Sequence, residues 1–213
     1  MTILFISILT LSAYLIGSIP FGLLIAKTKG LDIRKQGSGN IGATNVLRCL
    51  GKPLGITCFV LDVLKGYLPA FVFPMVGKIG ADFPSIGILF GAAAILGHNF
   101  PIFLKFKGGK GIATSAGVLL GVAPLAVGLG ILTWAIIFFI SGYVSLGSII
   151  AALVVAIVGW LRYDITTALA LTLLGALAIY RHRENIKRLI NGTENKFSRK
   201  SKVRKSKGHK SKV

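Results

Sequence analysis

Apolar runs of membrane length, separated by short basic connectors, limit this chain more than anything else in it. Continuous stretches near residues 3–26, 54–76, 85–103, 144–161 and 165–180 are each close to the ~20 residues that a helix needs to cross a bilayer. A mean hydropathy of +0.78 with 54% hydrophobic residues agrees. In lipid every backbone N–H and C=O needs an internal partner, so such runs fold as helices. The N-terminus is apolar almost from Met1, with no basic region and no small-residue cleavage site, and reads as a retained span.

The run from 112 to 141 is too long for one helix, and Pro124, Gly128 and Gly130 divide it. Charge decides how to count it. The connector 27–52 carries Lys27, Lys29, Arg34, Lys35, Arg48 and Lys52, the connector 104–111 carries three lysines, and thirteen cations follow residue 180. All three segments belong on the cytoplasmic side by the positive-inside rule. They share that side if residues 112–141 cross twice. The expectation is an all-α integral membrane protein with seven transmembrane helices, N-terminus outside and C-terminus cytoplasmic; a re-entrant pair at 112–141 is the other option. Residues 1–195 form the membrane domain. Residues 196–213, half of them Lys or Arg, form a disordered cytoplasmic tail held on anionic lipid headgroups, with RNA or ribosome contact a lesser reading.

The net charge of +19 sets 25 Lys and Arg against six carboxylates, so few groups are available as general acids or bases. The charge and glycine patterns point instead to anion binding. In QGSGNIGATNVLRCLG, residues 36–51, there is no carboxylate. Gly37, Gly39 and Gly42 allow backbone N–H groups to approach a ligand, Ser38, Asn40, Thr44 and Asn45 donate hydrogen bonds, and Arg48 offers a planar fork. A short helix from about Ala43 to Gly51 would put Thr44 and Arg48 on one face and an anion at its N-terminal end. FKGGKGIAT, residues 106–114, repeats the chemistry with Lys107, Gly108, Gly109, Lys110 and Gly111, but lacks the spacing of a nucleotide-binding loop. Two such segments imply two phosphates, or one held from two sides.

Before the second segment His98 and Asn99 lie in an apolar span, either as an interhelical hydrogen-bonding pair or with a direct role. Asp62 and Lys65, three apart within the second span, form either a structural ion pair or a functional one. In YRHRENIKRLINGTE, residues 180–194, Arg181, Asn185 and Arg188 recur at helical spacing with His182 beside them, and Glu184 and Arg188 are spaced to pair. Ser145, at a cytoplasmic helix start, is a helix cap or a phosphate donor. Cys49 and Cys58 lack metal-type spacing and are expected to be free thiols. There is no convincing internal duplication, and polar clusters sit on one side, which disfavours a transporter or scramblase of a phosphorylated metabolite or lipid, the alternative reading.

GSGNIGATNVLR, GHNFPIFLKFKGGKGIAT and YRHRENIKRLINGTE, with GSIPFG at the end of the first span and LDVLKG in the second, resemble the signature segments of the bacterial acyl-phosphate:glycerol-3-phosphate acyltransferases, the PlsY family. The resemblance covers the chain to about Phe197. It implies a multi-pass protein of the bacterial cytoplasmic (inner) membrane that moves a fatty acyl group from acyl phosphate to the 1-hydroxyl of sn-glycerol 3-phosphate, releasing lysophosphatidic acid and inorganic phosphate, with no acyl-CoA, acyl carrier protein, metal, nucleotide or other cofactor. On this reading Ser38, Arg48, Lys110, His182 and Asn185 are catalytic. Phosphate binding falls to Gly37, Ser38, Gly39, Asn40, Thr44, Asn45, Arg48, Lys107, Gly108, Gly109, Lys110, Gly111, Ser145, Arg181, Arg188 and Glu194. No nucleophile triad can be assembled, so the glycerol hydroxyl attacks directly, its proton passing to His182 or to a phosphate oxygen of the donor.

Overall fold

The computed structural model describes residues 2–83 and 85–197, and all regular structure among them is helical. Helix α1 (Thr2–Ser18) runs into Pro20, which has no N–H to continue it, and α2 (Phe21–Lys27) follows at the break. A connector leads to α3 (Ala43–Leu50), which ends at Gly51 with a positive φ of 88°, and then to α4 (Lys52–Tyr67). Pro69 turns the end of α4 into a π-helical stretch, Leu68–Val72, then a 3-10 segment, Phe73–Lys78, and the single turn α5 (Ile79–Asp82). The rest is α6 (Ile86–Asn99), α7 (Ile112–Val122), α8 (Pro124–Ser141), α9 (Val144–Arg162), α10 (Ile165–Arg181) and α11 (Arg183–Ile190).

Five stretches among the described residues are long and apolar enough to cross a membrane: Thr2–Lys27, Lys52–Val76, Ile86–Leu104, Pro124–Ser141 and Val144–Arg162. The pair α10 and α11, bent by 56°, makes a sixth, and α7 is apolar but shorter. Pro124 accounts for the interruption between α7 and α8, since it starts α8 and forces Ala123 out of helical geometry. The two halves of that long apolar run then find different neighbours. α7 packs on α4, whereas α8 packs on α9.

Helix α6 is central, with α1 on one side and α7 on the other. Small residues let these backbones meet. A Cβ on Gly17 would lie 2.1 Å from the Ala94 carbonyl oxygen, one on Gly97 would lie 2.2 Å from that of Tyr14, and one on Gly117 would lie 2.0 Å from that of Val63. Large apolar side chains such as Leu11, Phe139, Ile140 and Leu173 point outward, which lipid accepts and water would not.

Candidate active site

Segments far apart in sequence meet at one cavity of about 730 Å³. Its polar end is lined by Ser38, Asn40, Thr44, Asn45 and Arg48 from the first loop and α3, by Lys110 and Gly111 from the second loop, by Ser145 of α9, and by His182, Asn185 and Glu194 from the C-terminal segment. Its other end is apolar, between Ile56, Phe59, Leu119, Trp134, Phe138, Val155, Leu171 and Leu174. One volume thus joins a cationic mouth to a slot of alkane-like character.

The first loop is built around the amide of Asn45, which is buried. Its Nδ2 donates to the carbonyls of Gln36 and Asn40, both at 2.9 Å, and of Ile33 at 3.3 Å, while its Oδ1 accepts the backbone N–H of Ser38 at 2.9 Å. With its donors and acceptor so engaged, Asn45 shapes the loop; it has no hydrogen bond left to give a phosphate. Asn40 Oδ1 likewise accepts the N–H of Gly42 at 2.8 Å. Gly37 and Gly39 hold the positive φ values of this turn and lie off the cavity wall. Ser38 Oγ, Thr44 Oγ1 and the Arg48 guanidinium remain to face a ligand. Among the described residues Arg48 has no carboxylate partner, and its guanidinium stacks on the Phe197 ring, 5.2 Å from the centroid.

The second loop differs from its expected role. Lys107 is exposed and off the wall, and Gly108 and Gly109 do not line the cavity. Their lack of side chains serves packing: a Cβ on Gly108 would lie 2.2 Å from the His98 carbonyl oxygen, and one on Gly109 would lie 2.0 Å from His98 Nε2. Arg181 is also not a phosphate ligand here. Its Nε donates to the Gly109 carbonyl at 3.0 Å and its Nη2 to those of Gly108 and Gly109 at 2.8 and 2.7 Å, and it stacks on Phe100. What the loop delivers to the cavity is Lys110, whose ammonium donates to Asn185 Oδ1. Burial pulls the Lys110 pKa down to about 8, with nearby Glu194 opposing the drop and Arg188, Arg181 and Arg48 adding to it.

In the third segment the helix breaks at His182, so Arg181 ends α10 while Asn185 and Arg188 lie on α11; the single continuous face expected from their spacing is absent. Glu194 organises this end. Its Oε1 accepts from Asn185 Nδ2 at 2.7 Å and Ser145 Oγ at 2.9 Å, and its Oε2 from Arg188 Nε at 2.8 Å. Burial raises its pKa, but those donors outweigh it and keep the carboxyl ionised below the usual range. A carboxylate is a poor phosphate ligand, and Arg188, paired with Glu194 and off the wall, is not free to be one. Glu184 pairs with Lys187 and Arg183, not with Arg188. Ser145 is the second residue of α9, inside the helix, so it is no cap; its hydroxyl goes to Glu194. His182 Nδ1 lies 2.8 Å from the Ala178 carbonyl, which only accepts, so the proton sits on Nδ1 and Nε2 carries the lone pair.

Sequence reasoning left open the roles of two residues that line the cavity, Asp62 and His98, and named neither the residues of the apolar slot nor Phe197 as part of the site. The signal for the first two was present, as ionisable groups inside apolar spans. Lys196 and Phe197 were assigned to the tail. Instead the Lys196 ammonium stacks on Tyr143 and Phe197 donates its N–H to the Gly142 carbonyl at 2.9 Å. Residues 198–213 lie outside the described part of the chain.

A family model described as glycerol-3-phosphate acyltransferase matches residues 7–192. Glycerol-3-phosphate acyltransferases of Geobacter sulfurreducens and Aquifex aeolicus are 51% and 47% identical to this chain, each over 89% of it and over 96% and 97% of the relative. Crystal structures of PlsY, an integral membrane glycerol 3-phosphate acyltransferase, in its glycerol 3-phosphate and lysophosphatidic acid forms, superpose with TM-scores of 0.84 and 0.81 at 45% identity, covering 91% of this chain and 96% and 95% of theirs.

Proposed function

Since the chain belongs to the glycerol-3-phosphate acyltransferase family, we propose that it transfers a fatty acyl group from an acyl phosphate to the 1-hydroxyl of sn-glycerol 3-phosphate, giving lysophosphatidic acid and inorganic phosphate. The observation that carries this reading is the continuity of the cavity: Arg48 and Lys110 at the mouth suit two phosphates, and the slot between Phe59, Trp134 and Leu174 suits an acyl chain whose head lies between them.

An acyl phosphate is already activated, so the site's work is positioning and charge stabilisation. Arg48 supplies a two-pronged donor, Lys110 a point charge, and Ser38 a hydroxyl at the rim. Asn185 and Glu194 hold Lys110 and Ser145 in place and are positioning residues. The glycerol hydroxyl oxygen attacks the acyl carbon, the bond from carbon to the phosphate oxygen breaks, and inorganic phosphate departs. The donor's own phosphate takes the hydroxyl proton, in keeping with the scarcity of carboxylates, while His182 Nε2 accepts a hydrogen bond that orients the hydroxyl. No step needs a metal or a cofactor.

The reading includes a topology of seven crossings, N-terminus outside, in the bacterial inner membrane with the mouth toward the cytoplasm. Both basic loops and the C-terminal segment contribute to one mouth, so they share one side; with α9 and α10 crossing once each, α7 and α8 must together cross an even number of times. Thiol labelling of a cysteine placed at the exposed Leu125 separates two crossings from a re-entrant pair. The direct test of function is incubation of the purified protein with palmitoyl phosphate and glycerol 3-phosphate. Stoichiometric lysophosphatidate and phosphate are expected, with no phosphate released when the acceptor is omitted; transport without product would favour a carrier.

A further inference from the structure

Behind the mouth, among apolar helices, three ionisable groups meet. Lys65 Nζ lies 2.9 Å from Asp62 Oδ1, His98 Nδ1 lies 3.7 Å from the same oxygen, and all three side chains are at most 5% exposed. Lys65 also donates to the Ile19 carbonyl at 2.8 Å, at the break before Pro20. So costly a cluster within a bilayer calls for a reason.

An Asp-His pair beside an active cavity invites a catalytic reading, with Nε2 as the base. The packing argues against it. The ring's Nε2 end is closed off by Gly109, which could not carry even a methyl group. His98 and Asn99 also hold the second loop by their backbones, His98 O accepting the N–H of Gly109 at 3.1 Å and Asn99 O that of Gly108 at 3.2 Å. Arg181 clamps the same two glycines through their carbonyls from the other side. The next residue is Lys110. The loop reaches this point through two non-glycine residues, Lys105 and Phe106, in left-handed backbone at φ 50° and 61°, a conformation that is costly for residues with a Cβ and needs outside support.

We infer that Asp62, Lys65 and His98 form a positioning device: the buried ion pair backs the His98 ring by charge and packing, at 3.7 Å and without a hydrogen bond, the ring props Gly109, and the prop sets Lys110 against Asn185. This rests on the role given above to Lys110. The groups facing its ammonium are Arg48 from α3, Arg181 at the end of α10, His182 at the break, Asn185 and Arg188 from α11, and Glu194 beyond it.

A double-mutant cycle between His98 and Gly109 tests it, read as kcat and KM in detergent across pH. Gly109→Ala alone, forced against the ring, should lose about 100-fold in kcat/KM, the scale of a misplacement of about 1 Å. His98→Ala alone should lose about 30-fold, and the double variant no more than about 3-fold beyond that, since the methyl now has room. Losses that multiply would overturn the inference. The activity's basic limb supplies a readout that partial unfolding would not move. It should shift upward in His98→Ala and, by a smaller amount, in the isosteric Asp62→Asn, because a loosened, more hydrated Lys110 regains its proton affinity; an unmoved limb in both variants counts against positioning. Lys110→Met is measured alongside. If it keeps near-native turnover, the assignment of Lys110 itself is wrong, whereas an inactive Lys110→Met with a multiplicative cycle defeats only the device.

Discussion

The two glycine-rich loops have similar composition and are folded by opposite means. The first is organised from within: Asn45 bonds to residues five to twelve positions away, and positive φ values fall on Gly37 and Gly39. The second is held from without, by His98 and Asn99 at the end of α6 and by Arg181 and Asn185 more than seventy residues on, and its positive φ values fall on Lys105 and Phe106 as well as Gly111. One loop carries its own scaffold and presents a fixed guanidinium. The other is a strained strap whose lysine is placed by the assembled bundle.

The largest expected effect is on the groups the loops deliver. Lys110→Met should lower kcat/KM by about 1000-fold, the range for losing a charge that stabilises a transition state, and Arg48→Lys, which keeps the charge but loses the two-pronged donor, by about 100-fold, with folding in detergent unchanged. Comparable losses from the exposed Lys107→Met would erase the distinction between strap and payload. Next come the scaffolds. Asn45→Ala removes the first loop's internal bonds and leaves the buried Ile33 carbonyl unpaired, at about 1–3 kcal/mol for such a group; a lower unfolding midpoint should accompany lost activity. Arg181→Gln should leave the midpoint within a few degrees and raise KM for a phosphate substrate by about 10-fold, because only the strap loosens. Should both variants behave alike, the contrast between inner and outer support fails.

A pH profile sharpens the same contrast. Lys110 acts protonated, and burial brings its pKa down to about 8, so activity should be level below that value and fall about tenfold per pH unit above it. Glu194, held ionised, contributes no limb in this range. Lys110→Arg should be slower but flat to higher pH; a limb that persists in that variant belongs to another group. The smallest effect concerns the C-terminus. A chain ending at Phe197 should keep full turnover in neutral detergent, whereas one ending at Asn195 should lose about 3- to 10-fold, having given up the Phe197 ring against Arg48. The two truncations together locate the border between enzyme and tail, and both should lose salt-sensitive binding to acidic vesicles, expected at about 1 kcal/mol per cation removed.

Particular residues show what could be read in advance. Ala43–Leu50 was expected as a helix closed by Gly51 and is one, because its start and stop signals are local. Asp62 and Lys65 were expected to pair and do, because three residues on a helix is contact distance. The surroundings of Arg181 could not be read, for the opposite reason: its spacing from Asn185 and Arg188 fits one helical face, but α10 breaks at His182 and turns the guanidinium onto Gly108 and Gly109. Likewise Glu194 was expected among the phosphate-binding residues, and only its meeting with Ser145, 49 positions earlier, makes it an organiser.

By itself the sequence determined the solvent, the helical class and the chemistry of the guest, because hydropathy, positive charge and glycine act within a window of about 20 residues. Which polar groups face that guest and which are consumed holding one another was decided by tertiary structure. A hydrogen-bonding side chain has the same formula whether it meets a ligand or a carbonyl, and only the approach of α6, α10 and α11 to the two loops determines which partner it finds.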